Sequence, residues 1–458
     1  MLKQVVTYVI KEPILKLRSE DKNRNTYRNP ASLFPSAGKI PKAIRTGLLG
    51  DSVFLIGSNA VSALGGFLFW LLAARLTTTA SVGIASALIA SSMLLVSISD
   101  MGLSVSIVRF HSLTSGNERL INTAIRLALV FATGSVILFL FGLPWWSPAL
   151  IIVREAWPLA TLFLLFTVGN QIMAYQDMAM LSIGNLRFIF WRNVACNIPT
   201  SLILFMLLPI VAVETVVAVA FMLPNVMTVF YTSLVTLPKN IPGYRMLGGF
   251  ELQVFQTVKN YGFNNHLGNL LWALPAYLLP ILAASGDSLD AAGVFAISWT
   301  LTNAIYIIPR TVSLAFFARL SRPESRFIDS LLRSAAIIFG FGIPSAALLW
   351  VVSPWLLSLF GRSYVDTKLL GTMLLSFVPF SINSLLFSIL RVGRNPKWII
   401  VFTASYCFTV IASIQISGSQ GIQGIANGWL VGSTLAILPG LITSAYSLRN
   451  THEDSKSV

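Results

Sequence analysis

Trp299, Asn303, Tyr306, Arg310 and Ser313 recur at helical spacing inside the apolar window 291–318, so all five share one face of a helix. A guanidinium presents a planar fork of donors that matches phosphate or carboxylate oxygens. Indole and phenol rings beside it offer flat apolar surfaces with a polar edge. The window is long enough to cross a bilayer, and a charge at membrane depth costs a few kcal/mol or more. Arg310 precedes Arg319 by roughly 13 Å of helical rise, too far for easy escape to the interface. The stripe therefore faces a protein interior or a watery cavity, and the chemistry open to it is the binding of an anion.

Asp100 lies at a comparable depth in the window 81–108, with Ser97 and Ser104 on its face. Two readings stay open. Arg310 faces a phosphate in a central cavity, with Asp100 as its partner when the site is empty; or the two form a buried pair that aligns the halves of the chain. Tyr261, Asn265, Asn269 and Trp272 share a face of the window 258–284, and Asn59, Ser62 and Gly66 share one in 48–74. Amide and small residues also serve as ordinary packing between helices in lipid. Asp177 stands in GNQIMAYQDMAM near Asn170 and Gln171, either as a place for a proton or sodium ion or as a bond to a neighbouring helix. His266 is a candidate proton relay or a satisfied structural residue. The candidates for substrate contact are thus Arg310, Asn303, Tyr306, Trp299, Asn59, Asn265 and Asn269, and for gating or ion coupling Asp100 and Asp177.

The elements that carry these residues follow from composition. With 55% hydrophobic residues, 11% charged and a mean hydropathy of +0.75, the chain cannot clothe itself in water. The expected fold class is an all-α integral membrane protein, with apolar windows near 48–74, 81–108, 120–142, 157–183, 188–210, 213–236, 258–284, 291–318, 329–351, 365–390, 397–416 and 421–446. Of the 32 Lys and Arg, only Arg75, Arg154, Arg362 and Lys368 fall on the side away from the termini, which predicts both termini in the cytoplasm and a location in the cell membrane. The net charge of +15 is a topology signal rather than a nucleic-acid signature.

The chain repeats itself after roughly 200 residues. Gly57 and Asn59 align with Gly262 and Asn264, and Gly83, Asp100 and Arg109 with Gly293, Arg310 and Arg319. RLINTAIRLALVF at 119–131 aligns with RFIDSLLRSAAII at 326–338, and Ser147-Pro148 with Ser353-Pro354. Six spans per copy place both copies in the same direction, as two lobes about an axis along the membrane normal with a central cavity. The domains expected are a basic cytoplasmic tail at 1–45, lobes at 46–236 and 257–447, a cytoplasmic linker at 237–256 and a tail at 448–458. The two cysteines lie in apolar runs, no His/Cys set spaced for a metal is present, and no G-x-x-x-x-G-K-[ST] loop occurs. The sequence predicts no enzyme, no cofactor, no metal and no nucleic-acid partner.

LLAARL at the end of the first span, SVGIASAL, and above all SDMGL within SDMGLSVSIVR resemble the polysaccharide transporter branch of the multidrug/oligosaccharidyl-lipid/polysaccharide exporter superfamily. That branch includes the O-antigen flippases of prokaryotes, and the likeness covers about 45–446. The resemblance implies a twelve-helix fold whose spans one, two, seven and eight line the cavity. It implies lobes that rock to carry a polyprenyl-(pyro)phosphate-linked oligosaccharide for lipopolysaccharide or other cell-surface polysaccharide, with membrane lipids and polysaccharide-assembly proteins as partners. Such families generally meet the pyrophosphate with cationic cavity residues. This chain departs from the pattern in span eight, where members commonly follow Ile-Pro with an uncharged polar residue and carry Pro near the end, at Ala318 here. The role of Arg310 thus rests on its own surroundings. A cation-coupled exporter of small molecules and a membrane enzyme of glycan assembly are the alternatives.

Overall fold

Peptide groups in hydrocarbon have no water to bond, so an apolar chain crosses a membrane as helices. The structure, a computed structural model, describes residues 42–454 apart from 111–116, 242, 246–247, 287, 321–326 and 393–395, so most of the expected tail at 1–45 lies outside it. Its main helices are α1 (Lys42–Leu76), α2 (Thr79–Ser99), α3 (Leu103–Phe110), α4 (Asn117–Trp146), α5 (Trp157–Ser182), α6 (Leu186–Leu207), α7 (Val213–Tyr231), α8 (Leu252–Ala284), α9 (Leu289–Leu320), α10 (Phe327–Phe360), α11 (Thr367–Leu375), α12 (Phe377–Val392), α13 (Pro396–Ser417), α14 (Gly421–Leu435) and α15 (Ile437–Asp454). Large apolar side chains cover the outside, with Phe408 73% and Ile416 81% exposed. That surface suits lipid and not water.

Eleven stretches are long and apolar enough to span, the last being the 53 residues Pro396–Leu448. This last stretch folds back at Gly421, whose φ of 67° belongs to the left-handed region that glycine tolerates. A Cβ on Gly428 would stand 2.5 Å from the Ile414 Cα, and one on Gly432 the same distance from the Val410 Cα. Advance along α14 thus matches retreat along α13, so the pair is antiparallel and the described chain makes twelve passages. Both ends then reach one face, termed proximal; the α1–α2 and α8–α9 turns mark the distal face.

The second span is broken, where the sequence predicts one helix over 81–108. Met101 and Gly102 have φ of 49° and 75°, and the Asp100 carboxylate accepts from the Gly102 amide at 3.1 Å and the Ser104 hydroxyl at 2.7 Å, which stabilises the start of α3. The opposite happens in α10. Ser353-Pro354, expected by repeat alignment to follow the ninth span, lies inside a continuous helix, while its counterpart Ser147-Pro148 ends α4.

The lobes meet along α2, which packs against both α8 and α9. At the distal face the repeat-related Gly83 and Gly293 touch: a Cβ on Gly83 would lie 2.9 Å from the Gly293 amide, and one on Gly293 2.1 Å from the Thr79 carbonyl. Thr79 donates to Asp290 beside them, Ser147 pairs with Ser285 at 2.9 Å, and Arg75 donates to the Ser358 carbonyl at 2.9 Å and to that of Leu359. The distal face is therefore closed. The seams are unequal, because α2 packs along α8 whereas, among the described residues, their repeat counterparts α9 and α1 do not pack extensively on one another. Gly293→Val must force α2 and α9 apart. The expected result is that a cysteine introduced at Ser86, on the cavity wall, becomes reactive to a water-soluble maleimide added to sealed vesicles from the distal side, at a rate raised at least about tenfold (about 1.4 kcal/mol).

Candidate functional site

Between the lobes lies a cavity of about 530 Å³, within the range of small-molecule sites. Four tryptophans wall it: Trp70 on α1, Trp272 on α8, Trp299 on α9 and Trp429 on α14. Tyr277, Phe380 and Tyr406 add further rings, so most of the wall belongs to the second lobe. Trp272 stacks on Tyr406 at 4.6 Å between centroids and on Phe387 at 5.0 Å, which holds the wall rigid.

Arg310 reaches into this cavity. Its guanidinium donates to the Asn303 amide oxygen at 3.2 Å and lies 5.5 Å from the centre of the Phe380 ring, a cation–π distance. Among the described residues no carboxylate forms an ion pair with it. A planar cation held by one amide and one ring face, and left with donors to spare, is a ready anion site.

The pairing of Arg310 with Asp100 expected from the sequence does not form. Asp100 sits at the break between α2 and α3 and belongs to another cluster. Besides Ser104 and Gly102 it accepts from the Gln171 amide at 3.2 Å, and its Oδ2 lies 3.7 Å from Nδ1 of His266 on α8. Ser99 donates to Gln171 Oε1 at 3.0 Å, and the Tyr175 hydroxyl to the Asp100 carbonyl at 3.1 Å.

Twelve passages among the described residues, in two lobes around a cavity, can be compared with solved structures. The chain matches an inward-facing multidrug resistance MATE family transporter of the MOP superfamily with TM-score 0.64 and 13% identity, over 87% of this chain and 99% of that one. It matches the lipid II flippase MurJ in an inward closed conformation with TM-score 0.65 and 16% identity, over 88% and 90%. The chain has the fold that these solved structures share. An outward-facing MATE transporter gives TM-score 0.60 at 14% identity, over 89% and 96%. No protein-family model and no curated protein matches the sequence.

Within this fold the expected stripe divides into two layers. Trp299 and Asn303 line the cavity with Arg310. Tyr306 does not: it is fully buried, stacks on Phe380 at 4.3 Å, and its hydroxyl meets Trp429 Nε1 and Ser376 Oγ, each at 3.0 Å. It holds two wall rings in place from behind. Tyr306→Phe would leave the Trp429 indole without its phenol partner, at an expected cost of about 1–3 kcal/mol, read as a lower apparent melting temperature in detergent.

The remaining candidates lie elsewhere. Asn59 is exposed on α1 and does not line the cavity, while its neighbours Ser58 and Ser62 accept from Asn193 and Asn197 of α6. Asn269 is half-buried on α8 and does not line the cavity, and the side chain of Asn265 lies outside the described residues. Asp177 forms an ion pair with Arg192, which is 7% exposed; the nearby Asn170 and Gln171 serve α2 instead, through Ser92, Ser99 and Asp100. Sequence reasoning missed Arg192 as that partner, and missed Phe380, Tyr406 and Trp429, which look like any aromatic residue of an apolar span. Among the described residues no His/Cys/Asp/Glu cluster can hold a metal.

Proposed function

We propose that this protein carries a polyprenyl-(pyro)phosphate-linked oligosaccharide across the cytoplasmic membrane by alternating access, for cell-surface polysaccharide synthesis. The observation that carries this reading is Arg310, a cation without a carboxylate partner among the described residues, in a cavity walled by tryptophan and tyrosine. A pyrophosphate cannot cross hydrocarbon unaided; the guanidinium meets it, and the rings pack on sugar faces. The polyprenyl chain needs no passage through protein. It leaves through the flank where α1 and α9 do not pack extensively on one another, beside the exposed Asn59, Leu64, Ile307 and Leu314. Basic residues concentrated on the proximal side favour that face as cytoplasmic, with membrane lipids and glycan-assembly proteins as its surroundings. The likeness to a lipid II flippase supports the lipid-linked class.

Export of small organic anions is the second reading, favoured by the likeness to MATE transporters and by the same arginine. Tryptophan fluorescence separates the two, since four tryptophans line the cavity. In nanodiscs, a short-chain polyprenyl-pyrophosphate disaccharide is expected to quench the signal saturably, and the free disaccharide to leave it unchanged. Saturable quenching by small anions alone, with none by the lipid-linked sugar, would replace the first reading with the second.

A further inference from the structure

Asp100 and Asp177 both lie well inside spans of the first lobe, and the groups that face them differ in kind. Asp177 pairs with the guanidinium of Arg192. Asp100 faces an imidazole from the other lobe, and imidazole is the side chain whose charge changes between about pH 5 and 8. The groups facing Asp100 are Ser104 of α3, Gln171 and Tyr175 of α5, and His266 of α8. Among the described residues no lysine, arginine or second carboxylate forms an ion pair with Asp100 or His266. His266 is 8% exposed, and its Nε2 is buried without a hydrogen-bond partner. The pair sits where the second span is broken at Met101 and Gly102, the one joint in the helix that packs against both α8 and α9 of the other lobe.

We propose that Asp100 and His266 form a proton-binding site shared by the two lobes, whose occupancy sets how firmly they are held together towards the proximal face. A hydronium ion from the aqueous side gives its proton to an imidazole nitrogen and leaves as water. The imidazolium then donates a charge-assisted N–H···O bond to Asp100 Oδ2. Loss of the proton leaves a neutral ring beside a carboxylate that already accepts from Gly102, Ser104 and Gln171, so the link weakens and the α2–α3 joint is released. The site is remote from Arg310 in bonding: cargo chemistry belongs to the second lobe's cavity, proton chemistry to the seam. The proposal rests on the transport reading only in taking the lobes to move.

The test is a spin-label distance measurement without cargo. Labels go on Ser182→Cys, at the proximal end of α5, and Val401→Cys, near the proximal end of α13, with Cys196 and Cys407 replaced by alanine. In nanodiscs the wild-type background is expected to shift to shorter distances on acidification, with a midpoint between about pH 5 and 8. His266→Gln and Asp100→Asn, each measured for thermal stability alongside, are expected to abolish the shift. A wild-type distance that does not respond to pH overturns the proposal, as does a wild-type response that persists in a folded His266→Gln or Asp100→Asn variant. A pH response in a protein that moves no lipid-linked cargo counts against the transport reading alone; transport by a protein with no pH response counts against the shared proton site alone.

Discussion

Arg310→Glu is expected to abolish transport of the proposed anionic lipid-linked cargo, and Arg310→Ala to lower its affinity by roughly 10- to 150-fold, the equivalent of about 1.5–3 kcal/mol for a hydrogen bond to a charged group. Arg310→Lys keeps the charge but not the fork, so it recovers part of the binding. Stability responds in the other direction. The guanidinium is held by one amide at 3.2 Å and one aromatic face and has no carboxylate partner among the described residues, so the empty protein bears the cost of an uncompensated cation. Arg310→Met is therefore expected to melt at the same temperature as the wild type or higher while binding no cargo. A residue kept for packing would show the reverse, with a lower melting temperature and unchanged affinity. Binding and melting measured on all four variants check both statements.

The second large effect is on stability. Arg192→Met strands Asp177 without its partner inside the first lobe, and breaking a buried pair from one side costs about 3–5 kcal/mol. The Asp177 side chain is 22% exposed, which places the expected loss near about 3 kcal/mol, the lower end of that range. The double variant Asp177→Leu with Arg192→Met removes both charges and is expected to recover most of the loss, because an apolar pair of similar volume suits the site as well as an ion pair does. Thermal melts of the two single variants and the double close the cycle. If Asp177 instead held a coupling ion, Asp177→Asn would leave the fold intact and remove ion dependence from transport.

The spans were legible in the sequence because lipid demands long apolar helices, and hydropathy reads that demand directly. The repeat was legible too, and it explains one success and one failure. Gly83 with Gly293 and Asp100 with Arg310 are related by the same offset, yet only the glycines meet. Residues related by an axis touch their counterparts only where they lie on it. The helices α2 and α9 cross at Gly83, and Asp100 is about 26 Å of helical rise further on, where the second span has broken and turned to α5 and α8. The break itself was written in Asp-Met-Gly, a capping carboxylate followed by a glycine, but a window read for hydropathy passes over three residues. The wall of the cavity was less legible. Trp299, Asn303 and Arg310 stand out by helical spacing, whereas Phe380, Tyr406 and Trp429 come from α12, α13 and α14, and only packing reveals that they converge on Trp272 and Tyr306.

Transbilayer movement in proteoliposomes tests whether the protein carries a lipid-linked glycan past Arg310. A fluorescent polyprenyl-pyrophosphate-linked oligosaccharide is placed in both leaflets, and the fraction open to a membrane-impermeant oxidant is followed with time. The expected result is that wild-type protein exposes the whole pool, while Arg310→Glu vesicles expose only the outer leaflet's share, as vesicles without protein do. Wild-type vesicles that stop at the outer leaflet's share, or Arg310→Glu vesicles that match the wild type, would contradict the account.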